Sequence, residues 1–364
     1  MLENGALENG LENGDGLENG DASENGDASE NGDASTRRAA VAVADRLAVT
    51  GRRSGRGLDR GFRYLAVTSG VLIVMVLAAV AIFLVVQAWP ALRAGRSVSD
   101  EVGWIPDGSS VLEAVGPLVF GTVLAALVAL AVAVPVAIGI ALFISHYAPR
   151  RLASALGYLV DLLAAIPSVV YGLWGVMVLA PLLHPVFSWL VRWLGWIPLF
   201  AGDSAGNASN PPRVLMTASL VLAVMILPII TAVCREVFLT TPTLHEEAAL
   251  ALGATRWEMI RMAVLPYGRS GIVSASMLGL GRALGETMAV LMVLSPGMLY
   301  SLKMLVGSQQ QTIAANIAAK FNDASPMGHS ALIATGLALF VITMMVNMAA
   351  RAIVARRKDF SGAN

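Results

Sequence analysis

The sequence predicts an all-α membrane protein with six transmembrane helices and with both termini in the cytoplasm. Hydrophobic residues make up 56% of the 364 residues and charged residues 14%, whereas soluble domains carry about 25% charged residues. Apolar stretches recur along the chain, each with room for the roughly 20 residues that a span requires. Arginines cluster beside alternate connections between these stretches, and this alternation predicts the topology.

The first 36 residues form an acidic, repetitive tail. The tetrapeptide LENG recurs there and ENGDAS follows it, and the segment carries ten acidic residues and no Lys or Arg. A Gly- and Asn-rich acidic tract has too little apolar surface to bury, so we expect residues 1–36 to be a disordered low-complexity tail. The remainder holds 25 basic and 15 acidic residues and is therefore basic.

Residues 37–63 are rich in arginine and precede the first apolar stretch. By the positive-inside rule they form a cytoplasmic juxtamembrane segment. A first transmembrane helix is expected at 64–96 and a core membrane domain at 110–356, with a cytoplasmic loop at 241–268. The six spans are placed near 64–89, 116–146, 155–183, 213–239, 270–295 and 329–354.

Basic residues also mark the later connections that we place in the cytoplasm. Arg150 and Arg151 precede the third span, and Asp161 is expected to pair with one of them. Their positions at span ends indicate topology and not a nucleic-acid surface, so no nucleic-acid partner is predicted.

Residue types that build metal and nucleotide sites are sparse. Cys234 is the single cysteine, which excludes an internal disulfide bond and a cysteine-rich metal cage. The four histidines lie near span ends and not at metal-ligand spacing, so no metal or cofactor site is predicted. The sequence contains no Gly-Lys dipeptide and hence no P-loop. Energy must therefore come from a partner or from an ion gradient.

A helical insert, EEAALALGATRWEMIRMAVLP at 246–266, separates the fourth and fifth spans. Thr243 and Glu246 have the spacing of a capping box, and so do Thr255 and Glu258, which predicts two short helices. Gly253 lies between them and can adopt the left-handed conformation that ends a helix.

Apolar side chains of this insert recur on one side of each helix. Leu244, Ala248 and Leu252 are four residues apart, and the second helix, headed by Trp257, is expected to end at Pro266. A ridge exposed outside the bilayer needs a cleft to bury it. Periodicity alone leaves two interpretations open, docking on a partner and lying on lipid headgroups.

Two ionisable residues lie inside the fifth predicted span. Arg282 and Glu286 are four residues apart and are expected to share one helix face. Charges at this depth cost about 2.5–3.5 kcal/mol on insertion scales, and they persist by pairing and by facing a cavity. They are candidates for the path of an anionic substrate. The alternative is a structural ion pair that holds the helix in its bundle.

The third predicted span contains a proline. Pro167 removes one helix hydrogen bond, and Ser168 and Tyr171 near this break are candidates for a polar path. A purely structural kink explains the same pattern.

Three strings carry a family resemblance: DLLAAIPSVVYGLWG at 161–175, the insert with GATRWEMIR, and RALGETMAV at 282–290. Together they resemble the phosphate ABC-importer permeases of PstC type, which belong to the type I importer permeases with a MetI-like bundle. The resemblance covers residues 64–356. One position departs from it, since the family favours Ile where this chain has Ala263.

This resemblance implies a phosphate-translocating subunit without its own ATPase, in the bacterial cell membrane. The partners it implies are a second permease of PstA type, an ATP-binding subunit dimer, an extracytoplasmic phosphate-binding protein and membrane lipid. The external segment 297–328 is expected to contact the phosphate-binding protein. Alternatives are a same-fold permease for sulfate, molybdate or another small anion, and a secondary transporter.

The resemblance also implies residue roles. Arg282 and Glu286 match the Arg and Glu that the family associates with phosphate passage. The insert matches the EAA loop, by which a permease docks on its ATPase. The positions expected to form this coupling surface are Glu247, Ala248, Ala249, Gly253, Trp257, Leu265 and Pro266.

Overall fold

The computed structural model describes residues 55–358, and all regular structure in that range is helical. The predicted tail 1–36 and the basic residues before position 55 lie outside the described residues. Contacts divide the chain into two compact units, residues 1–77 and 78–364. In chain order the helices are α1 (Gly55–Ala94), α2 (Val98–Glu101), α3 (Val111–Leu142), α4 (Arg150–Ala164), α5 (Ser168–Trp174), α6 (Ala180–Leu194), α7 (Leu215–Leu239), α8 (Thr243–Ala251), α9 (Arg256–Met259), α10 (Leu265–Leu284), α11 (Met288–Val293), α12 (Ile313–Lys320) and α13 (Pro326–Lys358).

Five helical stretches of the described range are long and apolar enough to cross a membrane. They are Gly61–Glu101, Val111–Tyr147, Ser168–Leu194, Leu215–Leu239 and Pro326–Ala352. The all-helical class is confirmed, and these five stretches overlap five of the six predicted spans. The sixth, expected at 270–295, consists of α10 and α11 with a break at 285–287 between them.

The third predicted span is also interrupted. A proline disfavours helical geometry in the residue before it, and α4 accordingly ends at Ala164 while α5 begins at Ser168. A π-helical turn at Gly175–Leu179 joins α5 to α6, so the long apolar stretch extends from Ser168 to Leu194. The expected span 155–183 therefore begins later and ends later than its sequence pattern indicates.

A pair of helices, α3 and α7, forms the centre of the bundle and makes its most extensive helix–helix contact. α3 presents small side chains at every fourth position, which allows the two backbones to approach closely. These fully buried residues are Ala125, Ala129, Ala133, Ala137 and Ala141. Many residues of α7 are buried, including Phe238 and Ile230.

α10 packs against both central helices. Gly279 makes the contact with α7 possible, because a Cβ there would lie 2.7 Å from Cδ1 of Ile230. The central pair thus positions the helix that carries Arg282.

Candidate functional site

The two interrupted spans meet inside the bundle, where α5 packs against α11. A Cβ on Gly172 would lie 2.8 Å from Cα of Ala289, and a Cβ on Gly175 would lie 3.1 Å from a methyl group of Val293. Only glycine permits so close a backbone approach at position 172. Both helix breaks, at 165–167 and at 285–287, immediately precede the helices that meet in this contact.

Glu286 lies in the second break and is buried, with 8% of its surface exposed. Its Oε1 accepts a hydrogen bond of 3.1 Å from the backbone N–H of Ala289. The carboxylate therefore satisfies one of the free N–H groups at the start of α11. It forms no ion pair with Arg282 within 4.0 Å, because the break interrupts the helical spacing that would place the two side chains on one face.

Arg282 lies near the end of α10 and is exposed. The ion pairs of the described residues do not include it. Its guanidinium is permanently charged and presents five N–H donors, which suits an oxyanion.

Tyr171 is buried, and its hydroxyl donates a hydrogen bond of 2.9 Å to the backbone oxygen of Leu163. This bond connects α5 to α4 across the Pro167 break. Ser168 begins α5 and is half-buried. The structure thus places Ser168 and Tyr171 on α5, which packs against α11, the helix that follows Arg282 and the 285–287 break. The tyrosine hydroxyl is engaged in a structural bond.

One exposed side of α10 carries polar residues. Ser270, Ser274 and Arg282 are exposed there, and Leu278 is exposed between Ser274 and Arg282. α10 is not among the described helices that are long and apolar enough to cross a membrane. A polar side of this kind is compatible with a water-filled path or with another protein, and not with lipid.

The helical insert lies at the other end of α10. Its first helix, α8, has no buried residue, and Gly253 follows it with a φ of +87°. This left-handed conformation is accessible to glycine at little cost. The predicted helix–Gly turn–helix arrangement is therefore present, with α8 and α9 as its two helices.

One of the two predicted capping boxes forms. The Glu258 N–H donates to Thr255 Oγ1 at 3.3 Å, and the Thr255 N–H donates to Glu258 Oε2 at 2.8 Å. The backbone and side-chain hydrogen bonds from Thr255 lower the pKa of the Glu258 carboxyl. The box predicted at Thr243 is wrong, since Pro242 occupies the N-cap position and makes no side-chain cap. Glu246 instead lies 3.5 Å from His146.

The second helix of the insert does not stop at Pro266. It continues through a π-helical turn at Ile260–Val264 into α10, which ends at Leu284. Pro266 directly follows the π-helical turn, and prolines and π-bulges are places where helices bend. The expected stop is absent, and one continuous helical segment connects the insert to Arg282.

Large apolar side chains of the insert are exposed. The exposed fraction is 73% for Leu244, 90% for Leu252 and 56% for Trp257. Beside them lies a groove of about 730 Å³ whose lining includes Ala248, Ala249, Gly253, Met262 and Tyr267.

The remaining positions predicted for the coupling surface differ in exposure. Glu247 and Pro266 are exposed, whereas Leu265 is half-buried and packs on the central core. Leu265 therefore connects the insert to the core, whereas Glu247 and Pro266 belong to the exposed surface of the insert.

One other expectation about contacts is wrong, and the expected contact of segment 297–328 with a phosphate-binding protein stays a prediction. Asp161 approaches Arg235 of α7 at 4.0 Å, and not Arg150 or Arg151. In the segment 297–328, residues 304–305 and 310–316 are buried in the chain. Thr122 Oγ1 accepts a hydrogen bond of 3.0 Å from the Ile313 N–H inside this buried part. Within the described range, side chains such as Leu299, Tyr300 and Phe321 remain exposed in that segment.

Residues 133–359 match the family model of the "Binding-protein-dependent transport system inner membrane component". The chain is 48% identical over 315 residues to the phosphate transport system permease protein PstC 2 of Mycobacterium tuberculosis, covering 84% of this chain and 94% of the relative. The chain belongs to the PstC-type permease family. Other PstC relatives are those of Mycobacterium leprae (45% identity over 278 residues, 75% of this chain and 86% of the relative) and Pasteurella multocida (38% over 318 residues, 86% and 97%).

Among solved structures, the chain is similar to a bacterial ABC transporter that imports the acidic polysaccharide alginate. The TM-score is 0.48 and the identity 18%, covering 82% of this chain and 99% of that one. As a PstC-type permease, the chain is a multi-pass inner-membrane transport subunit. Groups of three or more His, Cys, Asp or Glu side chains able to hold a metal ion are absent from the part that the structure describes.

Proposed function

We propose that this chain is the membrane-spanning permease subunit of an ATP-driven phosphate importer. Its similarity to relatives named phosphate transport permeases supports the substrate. The structural observation that carries the proposal is the position of Arg282, an exposed charge on a polar helix side, next to the junction of two interrupted spans.

Arg282 binds the phosphate dianion during passage, because a guanidinium pairs with two oxygens of a phosphate at once. Glu286 acts beside it from a fixed position, since its carboxylate is held by the Ala289 N–H. Tyr171 maintains the shape of the neighbouring break through its bond to Leu163. Ser168, half-buried at the start of α5, contributes a hydroxyl to the same region.

Hydrolysis belongs to a separate dimer of ATP-binding subunits that docks on the coupling loop 241–268. The exposed Leu252 and Trp257 supply the apolar surface for this contact, because large exposed apolar side chains gain most when a partner covers them. Glu247, Ala248, Ala249, Gly253, Leu265 and Pro266 complete or support the same surface.

Two further protein partners complete the importer. A second permease of PstA type covers exposed sides of the spans, and an extracytoplasmic phosphate-binding protein delivers the substrate. The basic segment 37–63 remains on the cytoplasmic side, and the core permease domain extends over 110–356. ATP closure moves the coupling loops, and the bundle alternates between inward and outward access to Arg282.

Uptake of ³³P-labelled phosphate in cells that lack this chain tests the proposal. Expression of the chain is expected to restore phosphate uptake and to leave uptake of labelled sulfate unchanged. Restoration of sulfate or molybdate uptake instead would assign the chain to a different anion. Uptake that persists after ATP depletion would indicate a secondary transporter.

A further inference from the structure

α8 is attached loosely to the rest of the molecule. None of its residues is buried, and its packing partners within the described range are chiefly the following helix α9 and the π-helical turn at Ile260–Val264. Gly253, with its positive φ, separates α8 from α9. At its other end α8 is joined to α7 through residues 240–242, and Ala249 packs on the central core.

A further attachment, through side chains, is present at the cytoplasmic end of α3. Nε2 of His146 lies 3.5 Å from Oε1 of Glu246, and both side chains are largely buried, with 9% and 23% of their surfaces exposed. His146 belongs to the π-helical turn Phe143–Tyr147 that prolongs α3. The contact therefore joins the coupling insert directly to the central pair of helices.

The histidine ring is itself held in place. Its Nδ1 lies 2.6 Å from Oγ of Ser145, and that hydroxyl lies 2.8 Å from the backbone oxygen of Ala141. Nε2 is thus directed at the Glu246 carboxylate by a partner on the other side of the ring. Glu246 does not occupy the capping position that its spacing from Thr243 predicts, and no side-chain cap forms at the start of α8.

We propose that His146 and Glu246 form a strut through which motion of α8 is transmitted to α3. With the strut in place, α8 is connected to α7 through residues 240–242, to α10 through Gly253 and α9, and to α3 through His146. Both α10 and α3 pack on α7, so displacement of α8 moves the central helices together. His146 is a positioning residue, and its role rests on the proposed docking of an ATPase at the insert.

The test compares variants of His146 in the complete purified importer, reconstituted in proteoliposomes with its phosphate-binding protein. ATP hydrolysis and ³³P uptake are measured together, and their ratio reports coupling. His146→Leu is expected to lower the phosphate transported per ATP at least fivefold while the ATP-binding subunits still co-purify with the permease. His146→Gln retains an N–H donor toward Glu246 and is expected to retain at least half of the wild-type ratio.

A covalent strut provides the decisive control. The double variant His146→Cys, Glu246→Cys is made in a Cys234→Ala background, which removes the one native thiol. It is expected to be uncoupled until a short bis-maleimide joins the two cysteines, after which at least half of the coupling ratio returns. The matched single variants, treated with the same reagent, should gain nothing.

Normal coupling in His146→Leu, or no recovery on cross-linking, would overturn the strut. These results differ from failure of the proposed function. In that case the wild-type complex itself would transport no phosphate, or it would bind no ATP-binding subunit.

Discussion

The hydroxyl of Tyr171 donates a hydrogen bond of 2.9 Å to the backbone oxygen of Leu163, eight residues earlier. The bond crosses the interruption at Pro167 and holds the end of α4 to the first turn of α5. Tyr171 lies on α5, which packs against α11, the helix that follows Arg282 and the 285–287 break. Its hydroxyl therefore holds the interrupted span together next to that contact, and its place in the substrate path stays a prediction.

Replacing Tyr171 by Phe removes this bond and leaves the ring in place. We expect a loss of about 0.5–1.5 kcal/mol, the net contribution of a typical hydrogen bond, seen as a lower denaturation midpoint of the purified complex. Tyr158→Phe is the matched control, because Tyr158 lies on α4 with 74% of its surface exposed. Equal midpoints for the two variants would contradict this role of the hydroxyl.

Arg282→Gln is expected to lower phosphate uptake at least about tenfold, since hydrogen bonds to charged groups contribute about 1.5–3 kcal/mol. Assembly should be unaffected, because Arg282 is exposed and forms no ion pair in the described structure. Uptake in proteoliposomes and co-purification of the subunits measure the two effects. Arg192→Gln, an exposed arginine on α6, should transport normally, and a similar loss there would exclude a specific role for Arg282.

Gly253→Ala places a Cβ in a left-handed conformation with a φ of +87°, which costs about 1–2 kcal/mol. The turn between α8 and α9 is expected to change shape, and binding of the ATP-binding subunits and coupled uptake should both decrease. Gly139→Ala is the control, because a Cβ at this helical position meets no atom within 4 Å and alanine favours helix. Unchanged ATPase binding in Gly253→Ala would count against the coupling loop.

Thr255→Ala removes the cap of α9. Hydrogen–deuterium exchange of the first-turn amides is expected to accelerate several-fold at pH 7, whereas Thr243→Ala should have no effect because no cap forms there. Thr255 lowers the pKa of Glu258, so the cap stabilises α9 fully above the ordinary pKa of a glutamate. The part of this stabilisation that the Glu258 carboxylate contributes is lost as the pH falls through the lowered value, whereas the hydrogen bond that Thr255 Oγ1 accepts remains. An effect of Thr255→Ala that persists undiminished in acid would contradict the assignment.

Local patterns predicted the elements whose partners are close in sequence. The Thr255–Glu258 cap and the Gly253 turn depend on residues within a few positions of one another, and both are present. Long apolar stretches predicted the spans less accurately. Five of the six overlap apolar helical stretches of the described range, and the third of them is displaced to Ser168–Leu194. The candidate site followed from Arg282, because a charge inside an apolar stretch requires a function or a partner.

Contacts between distant residues were not available from those patterns. The spacing from Thr243 favours a capping role for Glu246 at the start of α8. In the structure its carboxylate instead contacts His146, a hundred residues earlier. Asp161 has arginines nearby in sequence, yet the nearest in space is Arg235. Proline commonly ends a helix. Pro266 follows a π-helical turn, and the helix continues through it to Leu284. Each of these outcomes depends on packing and not on spacing.

The polar side of α10 has a consequence for biosynthesis. A segment that carries Arg269, Ser270, Ser274 and Arg282 lacks the apolar character needed to leave the translocon for lipid unaided. α3 and α7 are synthesised earlier, and they offer it a protein surface on which its glycines already fit. Arg282 is therefore expected to enter the membrane in contact with helices that were synthesised before it.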